Sequence, residues 1–473
     1  MDKEIRNKIK KMVQDARKEL LKEIGELLEG VFGLHKDGTI EYISRLPQIK
    51  DDQNAIKARE GFAYVIERET AAGSRKPDAV ERLILGLTFT HLNRLVALKL
   101  MERRKVIRET VSRGSKSNGF VHYVVDVLKK TDLSQLKDID IAYQDYILYQ
   151  CREVAEEIKV LFDPEDLSSY VFPRPRALKA VLEIINNPEI DNIWDFDETI
   201  GWFYQYFTPK EIREQARAES SAPRNSWELA FRNQFYTPRY VVQFLADNTL
   251  GRMWYEMMRG NTKLSECCEY MVKPRNEVFL QKNEKPSAQA DSFRVPFREK
   301  KDPRLLKILD PACGSGHFLL YVFNLLMIIY REAYGDKDLG IALQKDYPDK
   351  EAFEREIPRL ILENNLYGID IDLRAIQIAA LALWLRAQRE WITIRREDRP
   401  RVRNVHFVCA EPMPGNQKLF EDFISTLKPA LLGDLVRNVW EKMKLAGEAG
   451  SLLQIEQELR TAIHDAKQKW KSL

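Results

Sequence analysis

Cysteine is scarce and shows no pattern: five residues, at 151, 267, 268, 313 and 409, give no CxxC spacing and no even-numbered framework. That excludes a disulfide-stapled scaffold and a thiolate zinc site, and it suits a reducing compartment. Long apolar runs are lacking as well. No window reaches eighteen uninterrupted apolar residues, and the first thirty residues are dense in Lys, Glu and Asp, so neither a membrane span nor a secretory signal is expected and a cytoplasmic location is. There is no excess of one charge. With 75 Lys and Arg against 72 Asp and Glu, the net charge is only +3, which neither announces nucleic acid nor forbids a local basic face. The dipeptide Pro-Pro occurs nowhere.

What is present, in 473 residues of which 44% are hydrophobic, is enough for two or three domains with sizeable cores. The organising stretch is Leu305 to Leu320, LLKILDPACGSGHFLL. Leu305, Leu306, Ile308 and Leu309 have the composition of a buried strand, residues 310–316 read as a tight turn, and the apolar run 317–330 predicts a helix. Gly314 and Gly316 lack Cβ atoms, so the backbone there can take positive φ and approach a ligand closely, facing it with the free amides of a helix start. Asp310, at the carboxyl end of the strand, offers acceptor oxygens to an ammonium or hydroxyl.

The longer string DPACGSG sets an acid four residues ahead of the first glycine, and Leu319 holds the place of the third dinucleotide glycine; both argue against NAD. The string resembles motif I of the amino-group, adenine-specific DNA methyltransferases, where it or a close variant holds S-adenosylmethionine. That resemblance implies a cofactor cradle formed by Asp310, Pro311, Ala312, Cys313, Gly314 and Gly316. Farther on, LYGIDID at 366–372 predicts the next strand, and an acid at its end can take both ribose hydroxyls. The resemblance of GIDID favours Asp370 for that role, with Ile371 against the adenine ring, while Asp372 suits the N-cap of the following helix. FYTPRYVV at 235–242 resembles motif X, whose threonine region meets the methionine carboxylate of the cofactor, which implies Thr237. Thr237 also suits the cap of the helix that follows, with Pro238 near its first turn. NVHFVCA at 404–410 predicts a third strand, and Glu411 after it resembles the motif III acid that accepts from the adenine amino group.

Ahead of these strings the chain reads as helical. Residues 1–32 show one apolar face, and TFTHLNRLVALKLMERRKVI resembles the N-terminal helical region of the large methyltransferases of BREX and DISARM phage-defence systems. Arg94 and His91 within it suit either local satisfaction in a buried helix or a DNA role. In WDFDETIGWFYQYF at 194–207, which resembles the segment before the catalytic domain of type I modification subunits, Trp202, Phe203, Tyr206 and Phe207 fall at core spacing, and their density also suits a base-stacking platform. Residues 294–304 and the seven arginines of 386–403 suit phosphate contact or a solvated surface. These readings divide the chain into a helical region (1–215), a motif X helix region (216–260), an insertion or linker (261–303), the cofactor-binding half of a methyltransferase domain (304–415) and a helical tail (416–473).

The fold class expected is α/β: the first three strands of a Rossmann-like class I methyltransferase sheet behind a large all-α region. Adenine methylation in the family needs an Asn-Pro-Pro-Tyr type of acceptor array, and this chain has none, so no catalytic residue and no metal ligand is assigned. The expected partners are double-stranded DNA and a second polypeptide supplying the catalytic half, unless the chain is truncated. The alternative from another class is a non-catalytic subunit that holds DNA or a partner.

Overall fold

The computed structural model describes residues 3–71, 74–196, 199–219, 228, 232, 237–284, 293–410, 417–443, and, within 456–464, all but 458 and 462. The first half is helical: α1 (Lys3–Gly30), α2 (Gln53–Ala71), α3 (Lys76–Arg103), α4 (Asn118–Asp126), α5 (Ile139–Ala155), α6 (Lys159–Phe162), α7 (Pro175–Ile185), α8 (Thr199–Phe207) and α9 (Lys210–Glu219). Helix α3 begins where Pro77 occupies its first turn and Asp78 complements the helix dipole. From Leu87 to Met101 every side chain is buried, as a helix apolar on all sides requires.

That burial settles how Arg94 is satisfied. Its Nε donates to the Leu161 carbonyl at 2.8 Å and its Nη2 to Ser169 Oγ at 3.2 Å. His91 lies edge-on to Phe172 with ring centroids 5.4 Å apart, and burial, aided by the Arg94 charge, lowers its pKa to about 3. Both residues are interior groups of α3, with no face turned to a duplex. In α8, Phe203 and Phe207 are buried in the core while Trp202 and Tyr206 stack on each other at 5.8 Å and pack against it, so the core spacing of these four holds.

Beyond α9 come α10 (Arg239–Ala246), a π turn (Asp247–Gly251), α11 (Arg252–Met257), α12 (Leu264–Cys267) and a two-residue parallel pair, β1 (Val278–Phe279) with β2 (Arg294–Val295). Three further strands form a parallel sheet in the order β3 (Ile308–Asp310), β4 (Leu366–Asp370), β5 (His406–Cys409). The first crossover carries α13 (His317–Gly335), α14 (Gly340–Asp346) and α15 (Lys350–Asn364); the second carries α16 (Leu373–Glu390). Helices α17 (Gln417–Thr426) and α18 (Ala430–Met443) follow, with a small cluster of their own around Phe420, Ile424 and Trp440.

The register pairs Ile308 with Leu366, Asp310 with Gly368 and Asp370 with Cys409. Strand entry is locked by Asn365, fully buried, whose amide donates to the Pro303 and Leu306 carbonyls at 2.7 Å and accepts from Tyr330 at 2.9 Å. One sheet face, with Leu366 and Gly368, is buried. The other exposes Leu309 at 56% and Val408 at 58%. Parallel strands are ordinarily covered on both faces; among the described residues only one face of this sheet is. A single hydrophobic cluster runs from Ile9 of α1 through α3 and α8 to α13, α16 and Val402, joining the helical region to the sheet.

Helices α3 and α13 are long and apolar enough to cross a membrane by length and composition alone, but 89% and 56% of their most apolar windows are buried within the protein. They serve as core helices.

Candidate cofactor site at the 310–316 turn

The site is built where β3 and β4 end side by side. Cys313 N donates to the Ile369 carbonyl at 2.9 Å, pinning the turn across the end of β4. Gly314 N donates to Asp370 Oδ2 at 2.9 Å, so the turn and the second acid are in direct contact. The other oxygen of Asp370 accepts from Asp372 N at 2.8 Å. Each carboxylate oxygen keeps a second lone pair for a ligand.

Asp310 is different. Its Oδ1 accepts from Ala312 N at 3.1 Å, while Oδ2 is buried without a partner. A buried carboxylate oxygen left unpaired is costly, and it marks a place where a donor is expected. Burial raises the pKa of the Asp310 carboxyl, and the neighbouring Asp370 charge adds to that. Burial likewise raises Asp370, against the lowering effect of its backbone donors. Cys313 is pushed up to about 12 by burial and by both carboxylates, so it stays a neutral thiol and packs.

The two glycines do different work. Gly316 has φ of +80°, and a Cβ there would stand 3.1 Å from Ala379 Cβ and 3.2 Å from its Cα, so α13 and α16 approach too closely for a side chain. Gly314 has φ of +52°, and a Cβ there would meet nothing within 4 Å. Its open side is the lip of the site. Ile371, 43% exposed, stands beside Asp370, and Leu373 is exposed on the same turn. The pair makes an apolar lip suited to a flat ring, and Leu373 had no signal in the sequence beyond its spacing.

Helix α10 packs along α13, setting Arg239 and Val242 beside His317, Leu320 and Tyr321 around a cleft of about 90 Å³. The fully buried Asp247 braces this junction, accepting from Tyr321 Oη at 2.7 Å and Tyr270 N at 3.1 Å. Thr237 lies half-buried just ahead of α10. It does not take the expected capping place: Pro238 is the N-cap, and no side chain closes the end. The extended ψ of 141° at Pro238 starts the helix one residue later than its pattern implies. Residues 235 and 236 of the same string and Glu411 lie outside the described residues.

Asp372 does cap α16, accepting from Arg374 N at 3.0 Å. Of the arginines of 386–403, several are held internally: Arg386 by Asn324 and Glu390, Arg395 by Asp398, and Arg399 by Gln388 and the Ile394 carbonyl. Arg401 and Arg403 are exposed. In 294–304, Arg298 pairs with Glu256, Lys300 with Asp336 and Asp338, and Arg304 with Asp302 and Asp346, which makes most of that basic run a structural strap. Among the described residues no cluster of His, Cys, Asp and Glu is arranged to hold a metal.

Residues 298–404 match the family model described as MmeI, DNA-methyltransferase domain. The chain is 28% identical over 344 residues to the adenine-specific methyltransferase BrxX of Escherichia coli O9:H4, covering 68% of this chain and 26% of that protein. It is 26% identical over 428 residues to the adenine-specific methyltransferase PglX of Lacticaseibacillus casei, covering 81% of this chain and 32% of the relative. A putative type II restriction enzyme and methyltransferase of Methanocaldococcus jannaschii is 24% identical over 322 residues, 62% of this chain and 24% of its own. The chain thus spans about a quarter to a third of the length of these relatives. The similarity found, to a DNA-methyltransferase domain over residues 298–404 and to proteins named adenine-specific methyltransferases over most of the chain, includes the 310–316 turn in its domain match.

Proposed function

We propose that this chain is the S-adenosylmethionine-binding portion of an adenine-specific DNA methyltransferase of a restriction or phage-defence system. The observation that carries the reading is the unpartnered Asp310 Oδ2 beside a turn whose Gly314 amide is tied to Asp370. The residues fit the cofactor: an acid with one buried oxygen that lacks a donor, a glycine lip with open space, a second acid at the adjoining strand end, and an apolar rim. In this reading Asp310 accepts from the methionine ammonium, Asp370 takes the ribose hydroxyls, and Ile371 lies on the adenine. Pro311, Ala312, Cys313 and Gly316 shape the backbone, while Thr237 and Glu411 remain assigned to the carboxylate and the adenine amine. When bound, the cofactor supplies an activated methyl group on a sulfonium. The chain's own residues orient that nucleoside and keep its charged end out of bulk water.

The sheet order, with β4 between β3 and β5, supports a reading as half of a Rossmann-like methyltransferase sheet, and the division proposed with it is a helical region (1–215), a motif X helix region (216–260), an insertion or linker (261–303), the cofactor half (304–415) and a helical tail (416–473). Double-stranded DNA is the substrate, cytoplasmic and apart from any membrane. The acceptor array for the flipped base belongs to a further segment or a second polypeptide, a view supported, among the described residues, by the exposed face at Leu309 and Val408 and the edge position of β3.

Calorimetry of the chain with S-adenosylmethionine and with NAD tests the site: binding of the first alone is expected, and binding of NAD or of neither overturns the reading. A methyl-transfer assay on adenine-containing duplex, with and without a chain bearing the Asn-Pro-Pro-Tyr array, tests the reaction. Transfer only with that addition is the expected result. A second reading, a non-catalytic subunit that holds DNA or a partner, is favoured by the lack of that array and gains if no combination transfers methyl.

A further inference from the structure

The turn that carries Asp370 is not held by the sheet alone. Asp372, two residues on, is buried, and its carboxylate is shared between α16 and the helical region. Arg374 clamps it from within the turn, Nε to Oδ1 at 2.8 Å and Nη2 to Oδ2 at 2.7 Å. From the other side, Tyr204 of α8 donates its hydroxyl to Asp372 Oδ2 at 3.1 Å, across 168 residues of sequence. The Arg374 guanidinium lies 5.5 Å from the Phe89 ring centre, and Phe89 meets Tyr204 edge-on at 6.1 Å. Burial and the Asp372 charge keep the Tyr204 phenol protonated, so it acts as a donor.

The chain of bonds then reaches the site. Asp372 N donates to Asp370 Oδ1, and Gly314 N to Asp370 Oδ2. Shifting Asp372 shifts one of the backbone donors that orient the Asp370 carboxylate. Side chains at 370, 372 and 374 turn inward to this network, while 371 and 373 turn outward to the rim.

From this arrangement we infer that Tyr204 is a positioning residue: through Asp372 it sets the direction in which Asp370 presents its free lone pairs to the ribose of the nucleoside. The inference rests on the cofactor reading above and goes beyond it. It makes the helical region a component of cofactor affinity, and it gives the hydroxyl of one residue in an aromatic stretch a task that core packing alone does not require. A phenylalanine fills the same volume, so Tyr204→Phe removes the hydrogen bond and leaves the packing.

The test uses the full 473-residue chain and two ligands, S-adenosylhomocysteine and its 2′,3′-dideoxy analogue. In the wild type the first binds more tightly. Tyr204→Phe is expected to weaken S-adenosylhomocysteine about five- to tenfold while the dideoxy analogue changes less than about twofold, because a positioning residue couples to the hydroxyls and a structural one does not. Equal loss for both ligands, or loss for neither, overturns the inference and leaves the cofactor reading standing. Failure of the wild type to bind either ligand sinks the cofactor reading, and this inference with it. A measurement on the unaltered chain runs beside the variant and does not depend on its folding. By reciprocity, S-adenosylhomocysteine should slow amide exchange across residues 200–206 more than the dideoxy ligand does at equal saturation, and equal protection overturns the inference.

Discussion

Gly314 and Gly316 separate packing from ligand approach within three residues. Placing an alanine at either forces a left-handed backbone, a cost of roughly 1–2 kcal/mol. At Gly316 the new methyl also stands 3.1 Å and 3.2 Å from Ala379 atoms, one of them backbone, so α16 must move. Overpacking of that kind adds roughly 1–3 kcal/mol, bringing Gly316→Ala to roughly 2–5 kcal/mol in all. At Gly314 the methyl meets nothing, and the stability cost stops at the backbone term. In ligand binding the order reverses. The Gly314 methyl would enter the space in which the nucleoside approaches the turn, and a loss of at least about tenfold in S-adenosylmethionine affinity, some 1.4 kcal/mol, is expected. Urea unfolding gives the stabilities from midpoint and slope, and calorimetry gives the affinities. Should Gly314→Ala fold and bind S-adenosylmethionine like the wild type, the open side of residue 314 is not where the cofactor lies. Should Gly316→Ala cost no more than Gly314→Ala, the packing argument is wrong.

Asp370→Asn leaves one of the two backbone donors, Gly314 N or Asp372 N, facing an amide NH₂; a stability loss of about 1–3 kcal/mol and at least about tenfold weaker cofactor binding are expected, read by thermal unfolding and calorimetry. The Asp310 carboxyl has a raised pKa, so its ionised form destabilises the folded chain above that pKa, and the penalty is relieved as pH falls through it. An ammonium ligand needs the ionised form. Cofactor affinity should therefore decline on acidification while the pH is still above the ordinary aspartate range, and Asp310→Asn should bind weakly with that pH dependence gone; an unchanged profile would count against Asp310 as the ammonium partner. Arg94→Leu should destabilise by about 2–4 kcal/mol, because the Leu161 carbonyl and Ser169 lose their buried donor, and any DNA affinity of the folded variant should match the wild type.

The local strings were legible. LYGIDID gave strand and cap at the observed places and DPACGSG its turn and helix, and α3 was visible in its apolar run. The strand before the DPACGSG turn was overread: Leu305 lies exposed in a 3-10 turn (Pro303–Leu305), Leu309 is exposed, and β3 runs only Ile308–Asp310, because an apolar run records neither where the backbone turns nor which face is left uncovered. The residues that escaped reading are those whose role depends on partners far along the chain. Nothing near Tyr204 says that its hydroxyl meets Asp372, since an aromatic at core spacing looks the same with or without such a bond. For Arg304 and Lys300 the sequence left phosphate contact and solvated surface both open, because charge runs carry no record of the acids that meet them from residues 302–346. The cap at Pro238 was misjudged by one residue because a proline suits either the cap or the first turn, and only the backbone angles decide.

The extent of the helical region follows from the smallness of the sheet. Three strands of three to five residues have little surface with which to fix a turn, and parallel pairs of this length have no independent stability. What holds them is helix packing. Helix α16 is buried along most of its length between β4 and β5 on one side and α3, α6 and α8 on the other, so the helix whose N-cap follows Asp370 is also the one the helical region grips. A single cluster from Ile9 to Val402 is the consequence, and it ties the stability of the cofactor turn to helices that contribute no cofactor-binding residue in the assignment above. A substitution deep in α3, far from any ligand, should then lower cofactor affinity in proportion to the stability it removes from α16. The exposed face of the sheet, with Leu309 and Val408, has no such support among the described residues, so substitutions there should leave the stability of α16 unchanged.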